Sequence, residues 1–266
     1  AVTADVTDRA GMAAAVAEVL DRAGRVDIAV ANAGVSPEPA TVRTMDPAEY
    51  DRVVAINQTG VFNTVRAVAD AVIATGGHVV TVSSAAAFAP GPGGSPYMMS
   101  KAAVEQLGRA LRPELAAHGV TVGVAYFGVV RTSMTAGILD DHPLGRRLDR
   151  MLPRPLRHRV SAEHAATVVA DGIARRAPRT LTPAAWQAYA LLRGPLESAA
   201  ILSLGIHTAI FDTTTVYAGV NTSPYLDLDT NVMYYASPQD AERKREVVDQ
   251  RFQGSVKLSE IPRLGT

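Results

Sequence analysis

Two rhythms of apolar and polar positions alternate along the first half of the chain. Thr7-Asp8 opens an Ala- and Val-rich stretch that ends at Ala23-Gly24, which predicts a helix with a polar cap in front and a glycine behind. Val26-Asp27-Ile28-Ala29-Val30 then reads as a short strand running into Asn32-Ala33-Gly34. Asp46-Pro47 starts a second helix, with aspartate as cap and proline in the first turn, and it can continue to Gly76-Gly77. His78 to Ser83 is the next strand. After a Gly/Pro-rich loop from Ala89 to Pro96 comes a helix from Tyr97 to His118, closed by Gly119 and expected to kink at Pro113. Val120 to Tyr126 is a third, mostly apolar strand.

Short apolar strands separated by long helices are the pattern of βαβ units, so the expected fold is α/β, a doubly wound, Rossmann-like parallel sheet. Such sheets bind ligands beyond the carboxyl ends of their strands, which points to the residues just after Val30, Val82 and Ala125. Beyond about residue 150 the pattern weakens. Ser161 to Arg176 has helical spacing, Arg179 to Pro183 reads as a short strand, and Trp186 to Phe211 as two helices broken at Gly194-Pro195. From residue 207 Thr, Asp, Asn and Tyr replace Ala, Val and Arg. The expected division is therefore a Rossmann-like domain over 1–206 and a helical or irregular extension over 207–266 to which no role is assigned.

Charge and composition narrow the function. Lys+Arg 26 are matched by Asp+Glu 26, so no global field attracts a polyanion, and nucleic acid is not an expected partner. The absence of cysteine excludes disulfides, thiolate metal sites and thiol catalysis. The most apolar stretch, Leu191 to Phe211, is interrupted by Arg193, Glu197 and His207 and is too polar for a membrane span. No signal peptide opens the chain, and the expected location is the cytoplasm.

Tyr97 and Lys101 are the sharpest chemical signal, because a spacing of four places both on one helical face. With eight tyrosines in the chain, about 0.09 such pairs would arise by chance. Lys101 is also the one lysine before Lys244 in a chain that otherwise writes positive charge as arginine. An ammonium beside a phenol favours the phenolate and turns tyrosine into a usable acid or base. Read singly, the surrounding residues have bland explanations: Asn32-Ala33-Gly34 as a turn, Ser83-Ser84 as a strand-end cap, Asn57 as a buried helix asparagine, Asp5 as a helix cap.

Taken in order, Asp5-Val6, Asn32-Ala33-Gly34, Asn57, Ser84, Tyr97-x-x-x-Lys101 and Thr132 resemble the short-chain dehydrogenase/reductase family. The resemblance implies a reaction between a ketone or aldehyde and an alcohol, by hydride exchange with NAD or NADP. It implies Tyr97 as proton donor or acceptor, Lys101 lowering its pKa and holding the nicotinamide ribose, Ser84 bonding the substrate oxygen, and Asn57 placing a water behind Lys101. Asn32, Ala33 and Gly34 would shape the strand end beside the cofactor, Asp5 and Val6 would meet the adenine, and Thr132 the carboxamide. It also implies a homo-oligomer through the two long helices, and Met98, Met99, Phe127, Met134, Ile138, Leu139 and Leu144 suggest an apolar substrate pocket under a mobile loop.

Three features depart from the family pattern. Its glycine-rich turn for the pyrophosphate is not found, Phe127-Gly128 stands where Pro-Gly is usual, and Arg179 to Pro183 takes the approximate place of its closing strand. The expectation is a chain truncated at its N-terminus by about 50–60 residues, two βαβ steps, with an open apolar sheet edge in consequence. Two alternatives stay open: a truncated, inactive module of the same fold serving binding or scaffolding, and, more weakly, a serine hydrolase using Ser84, for which no Gly-x-Ser-x-Gly elbow is present.

Overall fold

The computed structural model describes residues 1–89 and 91–191. Helix α1 (Arg9–Ala23) is capped by the Asp8 carboxylate, which accepts from the backbone of Ala10, and closes at Gly24. It leads into strand β1 (Ile28–Ala31). Asp46 likewise caps α2 (Pro47–Val53), but the single long helix expected to follow is interrupted. A π-helical segment over Val54–Thr59 separates α2 from α3 (Gly60–Thr75). The wider turn carries Asn57, and such bulges commonly mark functional positions.

Strand β2 (His78–Val82) is buried along its whole length. Helix α4 (Ser95–Ala116) begins two residues before the expected start and runs on through Pro113. Strand β3 (Thr121–Phe127) follows, then β4 (Val129–Val130), the short α5 (Ser133–Thr135), a π-helical turn over Ala136–Asp141, and α6 (Pro143–Met151). Strand β5 (Arg159–Val160), α7 (Ala162–Ala174) capped by Ser161, and β6 (Arg179–Thr182) follow, and residues 185–191 are helical. The rest of the expected Trp186 to Phe211 helix pair and the 207–266 extension lie outside the described residues.

The sheet order is β1-β2-β3-β6, with every neighbouring pair parallel. Strands β4 and β5 pair in parallel apart from it. Alternation along the strands sorts two cores. Ala29, Ala31, Val79 and Val122 pack with Val65, Val72, Val104 and Leu111 of α3 and α4, while Val80, Val82 and Ala125 meet Val169 and Ile173 of α7 on the other face. The α7 face stops short of β1, so Ile28 and Val30 remain 50% and 40% exposed. This is a Rossmann-like α/β fold. Helix α4 sits close on the sheet because Gly108 faces it: a Cβ there would come within 2.5 Å of Thr81 Oγ1 and 2.6 Å of Val124 Cγ2. That approach carries Tyr97 and Lys101, three and two turns earlier, to the carboxyl end of β2.

Candidate active site

The end of β2 grips α4 with adjacent serines that do different work. Ser83 Oγ donates to the Lys101 carbonyl at 2.7 Å, inside the protein, and so fixes the helix against the strand. Ser84 points the other way along the extended backbone. Its hydroxyl neighbours the Tyr97 phenol, donates to the Phe127 carbonyl at 3.2 Å, and accepts from the backbone of Ala86. One hydroxyl thus faces the phenol at the strand end, as a shared substrate oxygen would require.

Lys101 is buried and donates from Nζ to the Val82 carbonyl at 2.9 Å; its ammonium stands 5.7 Å from the centre of the Tyr97 ring. Burial depresses it from 10.5 to about 8. Burial acts in the opposite sense on Tyr97, pushing its phenol up, with the Ser84 hydroxyl pulling it part of the way back. The lowering of the Tyr97 pKa by Lys101 that the residue pair suggests is therefore not what dominates here. Desolvation is the larger effect on the phenol.

Gly34 brings the end of β1 against this pair. A Cβ at Gly34 would lie 3.2 Å from Lys101 Nζ and 3.4 Å from Asn57 Oδ1, so the bare backbone here meets both groups closely. Asn57 is fully buried: Oδ1 accepts from Val35 N at 2.7 Å, and Nδ2 donates to Val35 O at 2.8 Å and Ser100 Oγ at 3.0 Å. Both amide protons are thereby engaged, leaving the asparagine side chain no donor for a water. Ser100 in turn donates to the Tyr97 carbonyl at 2.8 Å. The chain Val35–Asn57–Ser100–Tyr97 links the end of β1, the π turn and the first turns of α4. Truncating Asn57 to Ala strands buried backbone and hydroxyl groups, and should cost roughly 2–4 kcal/mol of folding stability in a urea titration.

The remaining expected residues lie further out. Asn32 and Ala33 are exposed beyond β1. The Asp5 carboxylate accepts from Thr7 N at 2.8 Å and Thr7 Oγ1 at 2.9 Å, which lowers its pKa. Val6 packs against Gly60, and its carbonyl accepts from Asn63 Nδ2 at 2.8 Å. Asn63, buried on α3 and also bonded to Arg9, is what holds the Asp5-Val6 segment; a lone asparagine in a helical run gives no signal of this. Thr132 is exposed and caps α5, its hydroxyl accepting from Thr135 N at 3.2 Å. Ser84, Tyr97, Lys101, Asn57 and Gly34 converge, then, while Asp5, Val6 and Thr132 are held by contacts of their own. Among the described residues no group of three or more His, Cys, Asp and Glu could hold a metal ion.

The profile of the family described as short chain dehydrogenase matches residues 1–143, more than half of the chain. The chain belongs to the short-chain dehydrogenase/reductase family. Among its relatives, the 2-(R)-hydroxypropyl-CoM dehydrogenase of Xanthobacter autotrophicus is 32% identical over 156 residues, 58% of this chain and 62% of that protein. The probable oxidoreductase EphD of Mycobacterium tuberculosis is 36% identical over 199 residues, 70% of this chain but 32% of its own length. A short-chain dehydrogenase/reductase from Burkholderia phymatum, solved in complex with NAD, shares the fold with a TM-score of 0.63 at 24% identity, over 74% of this chain and 75% of that one. The chain thus spans less than two thirds of the two curated relatives it is compared with.

Proposed function

We propose that the protein interconverts a ketone or aldehyde with an alcohol, using a nicotinamide dinucleotide as partner and Tyr97 as general acid and base. The observation that carries this is the meeting of Ser84, Tyr97 and Lys101 at the carboxyl end of β2, beside the bare backbone of Gly34. A buried ammonium and a phenol one helical turn apart, beside the bare backbone of Gly34, fit the nicotinamide ribose. Tyr97, Lys101 and Gly34 would hold that end, with Asn32 and Ala33 at the rim, Thr132 toward the carboxamide, and Asp5 and Val6 toward the adenine. The bound nicotinamide would supply or accept the hydride.

Ser84 donates to the carbonyl oxygen and orients it toward Tyr97. As negative charge grows on that oxygen, Tyr97 gives up its proton, and the alcohol leaves with one hydrogen on carbon and one on oxygen. Because burial keeps the phenol protonated through neutrality, Tyr97 is set as an acid, and the Lys101 ammonium stabilises the phenolate left behind. Consumption of NADH or NADPH with short apolar ketones, followed by loss of the reduced-nicotinamide absorbance, tests the proposal. Saturable, enzyme-dependent oxidation of either cofactor is expected, and the absence of turnover with both would count against it.

We place the protein in the cytoplasm as a homo-oligomer. No helix among the described residues is long and apolar enough to cross a membrane. Phe62 of α3, 48% exposed, stands with Ala103 and Leu107 of α4 on a groove of about 350 Å³, a surface a second copy would cover. Light scattering at micromolar concentration should give a dimer or larger species, and Phe62→Glu should shift it toward monomer.

A further inference from the structure

Charge is balanced over the whole chain but not over the segment that overlies the loop ahead of α4. Residues 131–159 hold seven arginines against three aspartates, with no lysine or glutamate. Some of that charge is answered locally. Arg159 meets Asp140 at 2.7 Å and Asp149 at 3.3 Å, Arg157 approaches Asp149 at 3.9 Å, and Arg146 donates to the carbonyls of Asp140 and Asp141. Arg147, Arg150 and Arg154 are exposed and have no carboxylate within salt-bridge distance among the described residues.

Helix α6 sorts these groups by face, at about 100° per residue. Leu144 and Leu148 form an apolar stripe against Gly93, where an added Cβ would lie 3.6 Å and 3.3 Å from their methyl groups, four residues ahead of Tyr97. Gly145 and Asp149 take one flank, where Gly145 is pressed on the Ile138 carbonyl and Asp149 faces Arg157 and Arg159. Arg147 and Arg150 take the opposite flank, with Arg154 just beyond the helix. A face that only keeps a helix in water mixes its signs, as α1 and α2 do with Glu18–Arg22 and Glu49–Arg52. This flank does not.

We infer that the Arg147–Arg150 flank of α6 binds a phosphate or sulfonate group carried by the carbonyl substrate at a distance from its reacting carbon. Guanidinium forks bind tetrahedral oxyanions through paired, charge-assisted hydrogen bonds, and adjacent forks can share the three oxygens of one such group. Leu144 and Leu148 of the same helix rest on Gly93, four residues before Tyr97, which ties this flank to the start of α4. This inference rests on the reading of Ser84, Tyr97 and Lys101 as the site of turnover.

The test compares 2-butanone with 4-sulfobutan-2-one, which share a carbonyl and differ in the anion, on the full chain and on the Arg147→Gln/Arg150→Gln and Arg147→Glu/Arg150→Glu variants. Both positions are exposed, so folding should be unaffected. The sulfonate should be the better substrate, and the glutamine pair should lower its kcat/KM about 10- to 30-fold, through KM, from the loss of two charge-assisted contacts. Values for 2-butanone should stay within about twofold, and added salt should weaken the sulfonate alone. Calorimetric binding of 4-sulfobutan-2-one reads the anion site without turnover. Binding that charge reversal abolishes, in a protein that reduces neither ketone, would uphold the anion site while the turnover reading fails. Equal kcat/KM for the two ketones, unchanged in the variants, would overturn the inference and leave turnover standing. A variant effect on NADH or NADPH affinity in place of the sulfonate KM would also overturn it, as would no saturable binding of the sulfonate.

Discussion

Tyr97→Phe should reduce kcat for carbonyl reduction by roughly 10²–10⁴-fold, the range that general acid catalysis contributes. The substitution keeps the ring and removes one hydroxyl, whose described partner is Ser84. Packing, and with it the thermal midpoint, should therefore change little. Burial pushes the phenol up, so at neutral pH the wild-type group holds the proton that the developing alkoxide needs. Among the described residues no other acid is placed to act here: Lys101 donates to the Val82 carbonyl, and the Ser84 hydroxyl is too weak an acid to deliver its proton outright. Near-normal reduction by the phenylalanine variant would remove Tyr97 from the chemistry and favour a binding module of the same fold.

The second large effect is a loss of activity in mild alkali. Burial leaves the Lys101 ammonium titrating at about 8, so it is charged below that pH and neutral above it. The phenolate left after proton transfer loses its counter-charge as pH rises. Since kcat/KM reports the free enzyme, it should fall about tenfold per unit above pH 8 and by about 100-fold near pH 10. Unfolding does not mimic this. An unfolded lysine holds its proton to about 10.5, so between 8 and 10.5 the unfolded state binds the extra proton and this group makes folding more favourable as pH rises. Lys101→Arg should flatten the alkaline limb, because guanidinium stays charged, while lowering the plateau, because a planar fork cannot fill the place of a compact ammonium between Val82 and Gly34.

What could be read in advance divides along physical lines. Strand β2 is legible because the β-branched run Val79-Val80-Thr81-Val82, set between Gly77 and Ser83, suits a strand buried on both faces. Helix α1 is legible because Asp8 and Gly24 satisfy its ends by local chemistry. The break over Val54–Thr59 is not. Nothing in the side-chain pattern asks for a wider turn, and the bonds that hold Asn57 come from Val35 and Ser100, 22 and 43 residues away. Strands β4 and β5 are two residues each, too short for periodicity to show. At the site, spacing places Tyr97 and Lys101 on one face, but the division of labour between Ser83 and Ser84 and the turn of Lys101 toward Val82 follow from how α4 docks on the sheet. Helix α6 is hidden for a related reason: its apolar stripe is only Leu144, Leu148 and Met151 among arginines, and it acquires a partner only when the Gly93 loop folds against it.

The most direct test of the proposed function is the fate of a label. NADH or NADPH deuterated at the transferring carbon of the nicotinamide, incubated with the protein and a short apolar ketone, should yield an alcohol with one deuterium on the former carbonyl carbon and a hydroxyl proton taken from solvent. Tyr97→Phe should slow formation of that product without moving the label. An alcohol lacking the deuterium, or oxidation of the cofactor with no labelled product at all, would contradict hydride transfer at this site.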